Sequence, residues 1–244
     1  MTTQETPQHS ITHDSIYYVT VFFFVLLTTV LPALLGQPRF LPIIQTLALT
    51  TFVAVPLRHR NVSGALQVML IWLPIQFVVM ALLTRVFPGQ LEAAFTNGFA
   101  YRGAITAWFY GGAQHPVGLA AAPVARLVEV LAVIIGSAAT AGLVGAWSLV
   151  RLLNQSAYGV GVLLATLEHP LHLLLVIPYW TLVRAAGYAL VIVLCAMPLL
   201  TSQWSPAYYW RNHRRLVISA FVLLLLGLLI ETFLPGLLAR PSRS

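Results

Sequence analysis

Residues Tyr17 to Leu35 read YYVTVFFFVLLTTVLPALL, a run without a single charged side chain. The hydrocarbon core of a bilayer, about 30 Å thick, takes roughly 20 apolar residues of α-helix to cross. A helix is the form such a run takes in lipid, because there each backbone N–H and C=O finds a partner within its own segment. The run stops at Gly36-Gln37-Pro38-Arg39, and a second begins at once.

That second run, Phe40 to Leu57, stops at Arg58-His59-Arg60, and a third, Gly64 to Leu83, stops before Arg85 and Pro88. Connections this short make the three runs antiparallel neighbours. The whole chain agrees: of 244 residues, 59% are hydrophobic and only 8% charged, with a mean hydropathy of +0.86. A soluble domain carries roughly a quarter charged residues to face water, so lipid is the expected solvent. The expected fold class is all-α, a polytopic transmembrane bundle of about six or seven helices with one broken or kinked segment.

Residues 84–125 differ in character, holding Arg85, Glu92, Arg102, His115, several glycines and the aromatic run Trp108-Phe109-Tyr110. They are read as an extramembrane or interfacial connection, with Gly98 to Gly111 lying flat where aromatic and arginine side chains are favoured. Leu127 to Val150 then reads as one continuous helix. Its small residues recur at four-residue spacing, Ser137, Ala141 and Gly145 beside Ala138, Gly142 and Ala146, a pattern that lets backbones approach closely in lipid. Ser156 to Leu200 is long enough for two crossings and is interrupted at Glu168-His169-Pro170, at Pro178 and at Arg184, so a broken or re-entrant segment is expected. The last helix is Leu216 to Leu238. The chain thus divides into a polar tail (1–15), a three-helix membrane segment (16–83), the connection (84–125), a C-terminal membrane core (126–238) and a polar tail (239–244).

The net charge of +7 comes entirely from arginine, since the sequence has no lysine. Nucleic-acid binding requires those charges gathered on one face. Here they stand singly or in short clusters between apolar runs, as anchors to lipid headgroups, and no nucleic-acid partner is expected. The arginine count per side gives no decisive orientation, although Arg211, Arg214 and Arg215 favour residues 202–215 as cytoplasmic. Cys195 has no second cysteine to pair with. The polar N-terminus has no basic region ahead of its apolar run, so the first helix is expected to be retained.

Ionisable groups inside apolar segments cost about 2.5–3.5 kcal/mol on insertion scales, which makes each a functional candidate. Arg126 and Glu129, three residues apart, share one helical face and can pair. Glu168, His169 and His172 are the densest polar cluster, and His169 with His172, one turn apart, could ligate a metal with a third group. His115 is a further histidine candidate for haem, pigment or metal, although no cofactor is expected. Arg184 either pairs with Glu168 or Glu231 or, if the helices divide near it, lies at the membrane surface. Glu231 lies near the end of the last helix, where it is either a boundary residue within reach of the interface or a buried functional charge. The sequence holds no Walker loop, HExxH pair, nucleophile elbow or paired cysteines, so no catalytic role is expected.

One order of motifs stands out in the C-terminal half. A glycine-punctuated helix from Gly136 leads to Leu152-Leu153-Asn154 and Gly159-Val160-Gly161. His172, Pro178 and Ala185-Ala186-Gly187 follow, and the chain closes on Glu231-Thr232-Phe233-Leu234-Pro235. Over Arg126 to Leu238 this order resembles the stage II sporulation protein M family. Leu173 and Val176 stand where that family's segment after the histidine has glycine and glutamate, and Gln155 where glycine follows asparagine. The resemblance implies a multi-pass protein of the bacterial cytoplasmic membrane that works with other membrane subunits. The functional expectation is therefore a non-catalytic scaffold or accessory subunit. The alternatives are a permease-type subunit, suggested by the broken segment, and a haem- or pigment-binding subunit.

Overall fold

A computed structural model describes residues 15–116, 123–167 and 176–238. Among them there are only helices: α1 (Ser15–Leu34), α2 (Phe40–Arg58), α3 (Val62–Val86), α4 (Pro88–Ala93), α5 (Gly98–Gly111), α6 (Pro123–Ala139), α7 (Leu143–Leu164), α8 (Tyr179–Thr201) and α9 (Pro206–Leu238). The chain is an all-α bundle, as its composition requires. Five helices, α1, α2, α3, α8 and α9, are long and apolar enough to cross a bilayer.

The exterior is where the membrane is most evident. Phe23 on α1, Leu70 on α3, Ile135 on α6 and Phe221, Phe233 and Leu237 on α9 all point outward and are 60–78% exposed. A water-soluble protein could not present so much continuous apolar surface. The hydroxyls of Thr28, Thr51 and Thr84 each donate to the carbonyl one turn back, at Phe24, Leu47 and Met80, so these groups stay satisfied without water. The chain is a multi-pass membrane protein.

α7 is the axis of the bundle, packed against α2, α3, α6 and α8 and buried along most of its length. At 22 residues it is long enough to cross, but Arg151, Asn154 and Gln155 dilute its apolar character. Gly161 lets it approach α3 closely: a β-carbon there would lie 2.5 Å from the Ala81 carbonyl oxygen and collide with Thr84. α5, too short to cross, lies against the C-terminal end of α7, where Tyr158 donates to the Gly98 carbonyl at 3.4 Å. Its Trp108 Nε1 donates to the carbonyl of Pro235 at 3.0 Å. That carbonyl belongs to the last turn of α9, which has no intrahelical donor left to give it.

The single helix expected over Leu127 to Val150 is instead two, and that expectation is corrected. α6 ends at Ala139, Ala141 and Gly142 take left-handed conformations (φ 50° and 92°), and α7 starts at Leu143. The Gly142 N–H reaches back to the Ser137 carbonyl at 2.8 Å, a Schellman-type closure that satisfies a terminal carbonyl. The small residues do allow close packing, but across this antiparallel hairpin: a β-carbon on Gly136 would strike Val144, and one on Gly145 would strike Ser137. Ala141 lies in the turn and belongs to no continuous stripe with Ser137 and Gly145. The first three helices and the C-terminal core also form one bundle, since α2 and α3 both pack on α7.

Candidate functional site

Two polar clusters occupy the interior. The first is ionic. Glu231 of α9 is 3% exposed, and its carboxylate is met by Arg184 of α8 and Arg126 of α6. Arg184, 1% exposed, donates from Nη1 to Glu231 Oε2, while the Arg126 Nε lies 3.5 Å from Oε1. Arg126 Nη1 also donates to Glu129 Oε2, and the Tyr188 hydroxyl donates to Glu129 Oε1 at 3.2 Å. Gly227 makes the approach of α9 to Arg184 possible, since a β-carbon there would lie 3.0 Å from the arginine Cβ. Two cations and two anions from three helices thus form one closed network. Desolvation of each charge, several kcal/mol, is offset only because all four sit together. Among the described residues the buried Arg184 Nε has no hydrogen-bond partner.

The second cluster is neutral. Asn154 of α7 donates to Gln45 Oε1 of α2 at 2.6 Å and accepts from Gln76 Nε2 of α3 at 2.8 Å. Gln45 in turn donates to Thr29 Oγ1 of α1 at 3.0 Å, and Gln76 accepts from Trp72 Nε1 at 2.7 Å. Five side chains join α1, α2, α3 and α7 in one chain of hydrogen bonds, and the amides of Gln45, Gln76 and Asn154 are all buried. In lipid an amide without a partner is costly, so this chain fixes the rotation and depth of each helix against the others.

His115 lies just after α5, in an aromatic corner whose rings belong to Trp108 and Trp180, with centroids 4.7 Å and 5.3 Å away. Burial pushes its pKa down, and the Arg126 and Arg184 guanidiniums push it further, to about 4. The imidazole is therefore held neutral at physiological pH. Among the described residues no three His, Cys, Asp or Glu side chains converge on one point.

Of the residues singled out from the sequence, the structure brings Arg126, Glu129, Arg184 and Glu231 into one network. Arg184 takes Glu231 as its partner, and Glu231 is interior rather than at a boundary. His115 stands apart from any second histidine of the described residues. Glu168, His169 and His172 lie outside the described residues. Sequence reasoning missed the amide chain and Tyr188. The available signal was two carboxamides, Gln45 and Gln76, each embedded in an apolar run, and Asn154 in the middle of a third long helix.

Between α6 and α7 a cleft of about 200 Å³ is lined by Arg126, Glu129, Trp147, Ser148, Arg151 and Gln155. A second hollow of about 120 Å³ on the far side of Arg151 and Gln155 reaches Asn154, Tyr101 and Thr96. Comparison with family models, with curated proteins and with solved structures finds no match to this chain.

Proposed function

We propose that this chain is a non-catalytic scaffold or accessory subunit of a larger assembly in the bacterial cytoplasmic membrane. The observation that supports this most is the pairing of its buried carboxylates and carboxamides within the bundle. Glu129 and Glu231 are both committed to arginines, and the three buried carboxamides are committed to one another. Such an interior specifies helix register and gives a rigid body, which suits a part that holds neighbours in place. The resemblance of residues 126–238 to the stage II sporulation protein M family is in keeping with this role. The test is purification of the tagged full chain from its native membrane in mild detergent. A scaffold comes out with stoichiometric partners in a particle well above its own 26.7 kDa plus micelle. A monodisperse lone chain contradicts the proposal.

One observation favours a permease-type subunit as the second reading: the donor-lined cleft beside Arg151, between the 17-residue α6 and the central helix α7. Solute flux into vesicles that hold the wild-type chain, abolished by Arg184→Ala, would support it. Vesicles without flux remove it.

A further inference from the structure

We propose that the cleft between α6 and α7 is a binding site for an anionic group, a phosphate above all, with Arg151 as its principal ligand. This goes beyond the scaffold reading and does not depend on it.

Charge is the first reason. Among the described residues, Arg126, Arg151 and Arg184 lie near two carboxylates, Glu129 and Glu231, and both of those are held by Arg126 and Arg184. Among the described residues Arg151 has no hydrogen bond or ion pair, so one positive charge is left over on the central helix of the bundle. On a helix inside a membrane a lone cation costs about 2.5–3.5 kcal/mol on insertion scales unless an anion or water attends it.

Donor geometry is the second. Trp147, Arg151 and Gln155 stand at four-residue intervals on α7, with Ser148 beside them, so they share one helical face. Together they offer an indole N–H, a guanidinium, a carboxamide and a hydroxyl to the same cleft, and none of these four has a partner among the described residues. The one acid that lines the cleft among the described residues, Glu129, is already occupied by Arg126 and Tyr188. A surface rich in donors and poor in free acceptors selects an anion, and a guanidinium meets a phosphate or carboxylate with two parallel hydrogen bonds. Arg151 is exposed, so the cleft is open to a ligand, and its volume of about 200 Å³ admits a phosphate group.

A lipid headgroup and a free anion share this chemistry, and one experiment separates them. The full chain is purified in neutral maltoside micelles stripped of lipid, and its thermal midpoint is followed during three titrations: inorganic phosphate, short-chain phosphatidylglycerol, and diacylglycerol as the headgroup-free control. A saturable rise with phosphate assigns a soluble anion. A rise with phosphatidylglycerol but not phosphate or diacylglycerol assigns a lipid headgroup. Arg151→Gln should weaken the effective ligand about ten- to a hundredfold, the equivalent of one charge-assisted hydrogen-bond pair. Arg151→Lys should keep part of the affinity, and Arg58→Gln, at the far end of α2, should keep all of it. Without ligand, Arg151→Gln should melt no lower than wild type. The proposal is overturned if neither anion gives saturable binding, if diacylglycerol matches phosphatidylglycerol, if Arg151→Gln binds as wild type does, or if that variant fails to fold.

Discussion

Arg184 and Glu231, 47 residues apart in the chain, form an ion pair whose side chains are each 1% exposed, and it ties α8 to α9 inside the bundle. Removing one member leaves the other charged in a medium that cannot solvate it. Arg184→Met or Glu231→Leu should each lower stability by about 3–5 kcal/mol. The double variant should recover most of that loss, because no orphan charge of the pair remains. Unfolding by sodium dodecyl sulfate titration in mixed micelles measures both, and strict additivity would show that the pair is not coupled.

The amide chain makes a graded prediction. Asn154→Leu breaks two hydrogen bonds and strands Gln45 and Gln76, whereas Thr29→Val removes only the terminal acceptor. Interhelical hydrogen bonds in membranes are worth about 0.6 kcal/mol on average and up to about 1.7. Asn154→Leu should therefore cost roughly 1–3 kcal/mol and exceed Thr29→Val in the same unfolding assay.

Glycine substitutions separate packed from open positions. Gly161→Ala forces a methyl against the Ala81 carbonyl and Thr84, and should cost about 1–3 kcal/mol. Gly103, on α5, has nothing within 4 Å of its would-be β-carbon. Gly103→Ala should instead stabilise by up to about 1 kcal/mol through helix propensity.

His115 gives the chain a pH response of defined sign. Its pKa in the fold, about 4, lies below the ordinary histidine value near 6.5. On acidification the unfolded chain takes up a proton that the folded chain refuses. Stability contributed above pH 6.5 is thus lost progressively as pH falls toward 4, by roughly 3 kcal/mol at most. The melting temperature should fall between pH 7 and pH 5, and His115→Phe should flatten that part of the profile.

The membrane class and the first three helices were legible because a span needs only length and apolarity. The readings 17–35, 40–57 and 64–83 lie within two or three residues of α1, α2 and α3. Residues 127–150 misled for a physical reason. Small residues at four-residue spacing serve a close-packed continuous helix and a close-packed hairpin equally, and a left-handed turn through Ala141 and Gly142 leaves no hydropathic mark. The last helix starts earlier than its apolar run, at Pro206, and bends at His213, with Arg211 before the bend and Arg214 and Arg215 just after it. Four ionisable candidates could be named from the cost of charge in lipid, but their convergence depends on α6, α8 and α9 meeting, which spacing does not encode. Uncharged amides fell below that threshold of notice, although in lipid they too join helices.

The account rests on the bundle crossing the bilayer with its polar groups turned inward, and topology mapping tests this most directly. In a Cys195→Ala background, single cysteines at His59 and Ser202 probe one end of the bundle, and those at Asn97 and Gly112 the other. An impermeant thiol reagent added outside sealed vesicles should label one pair and spare the other until the membrane is opened. Labelling of all four from the same side would contradict the account.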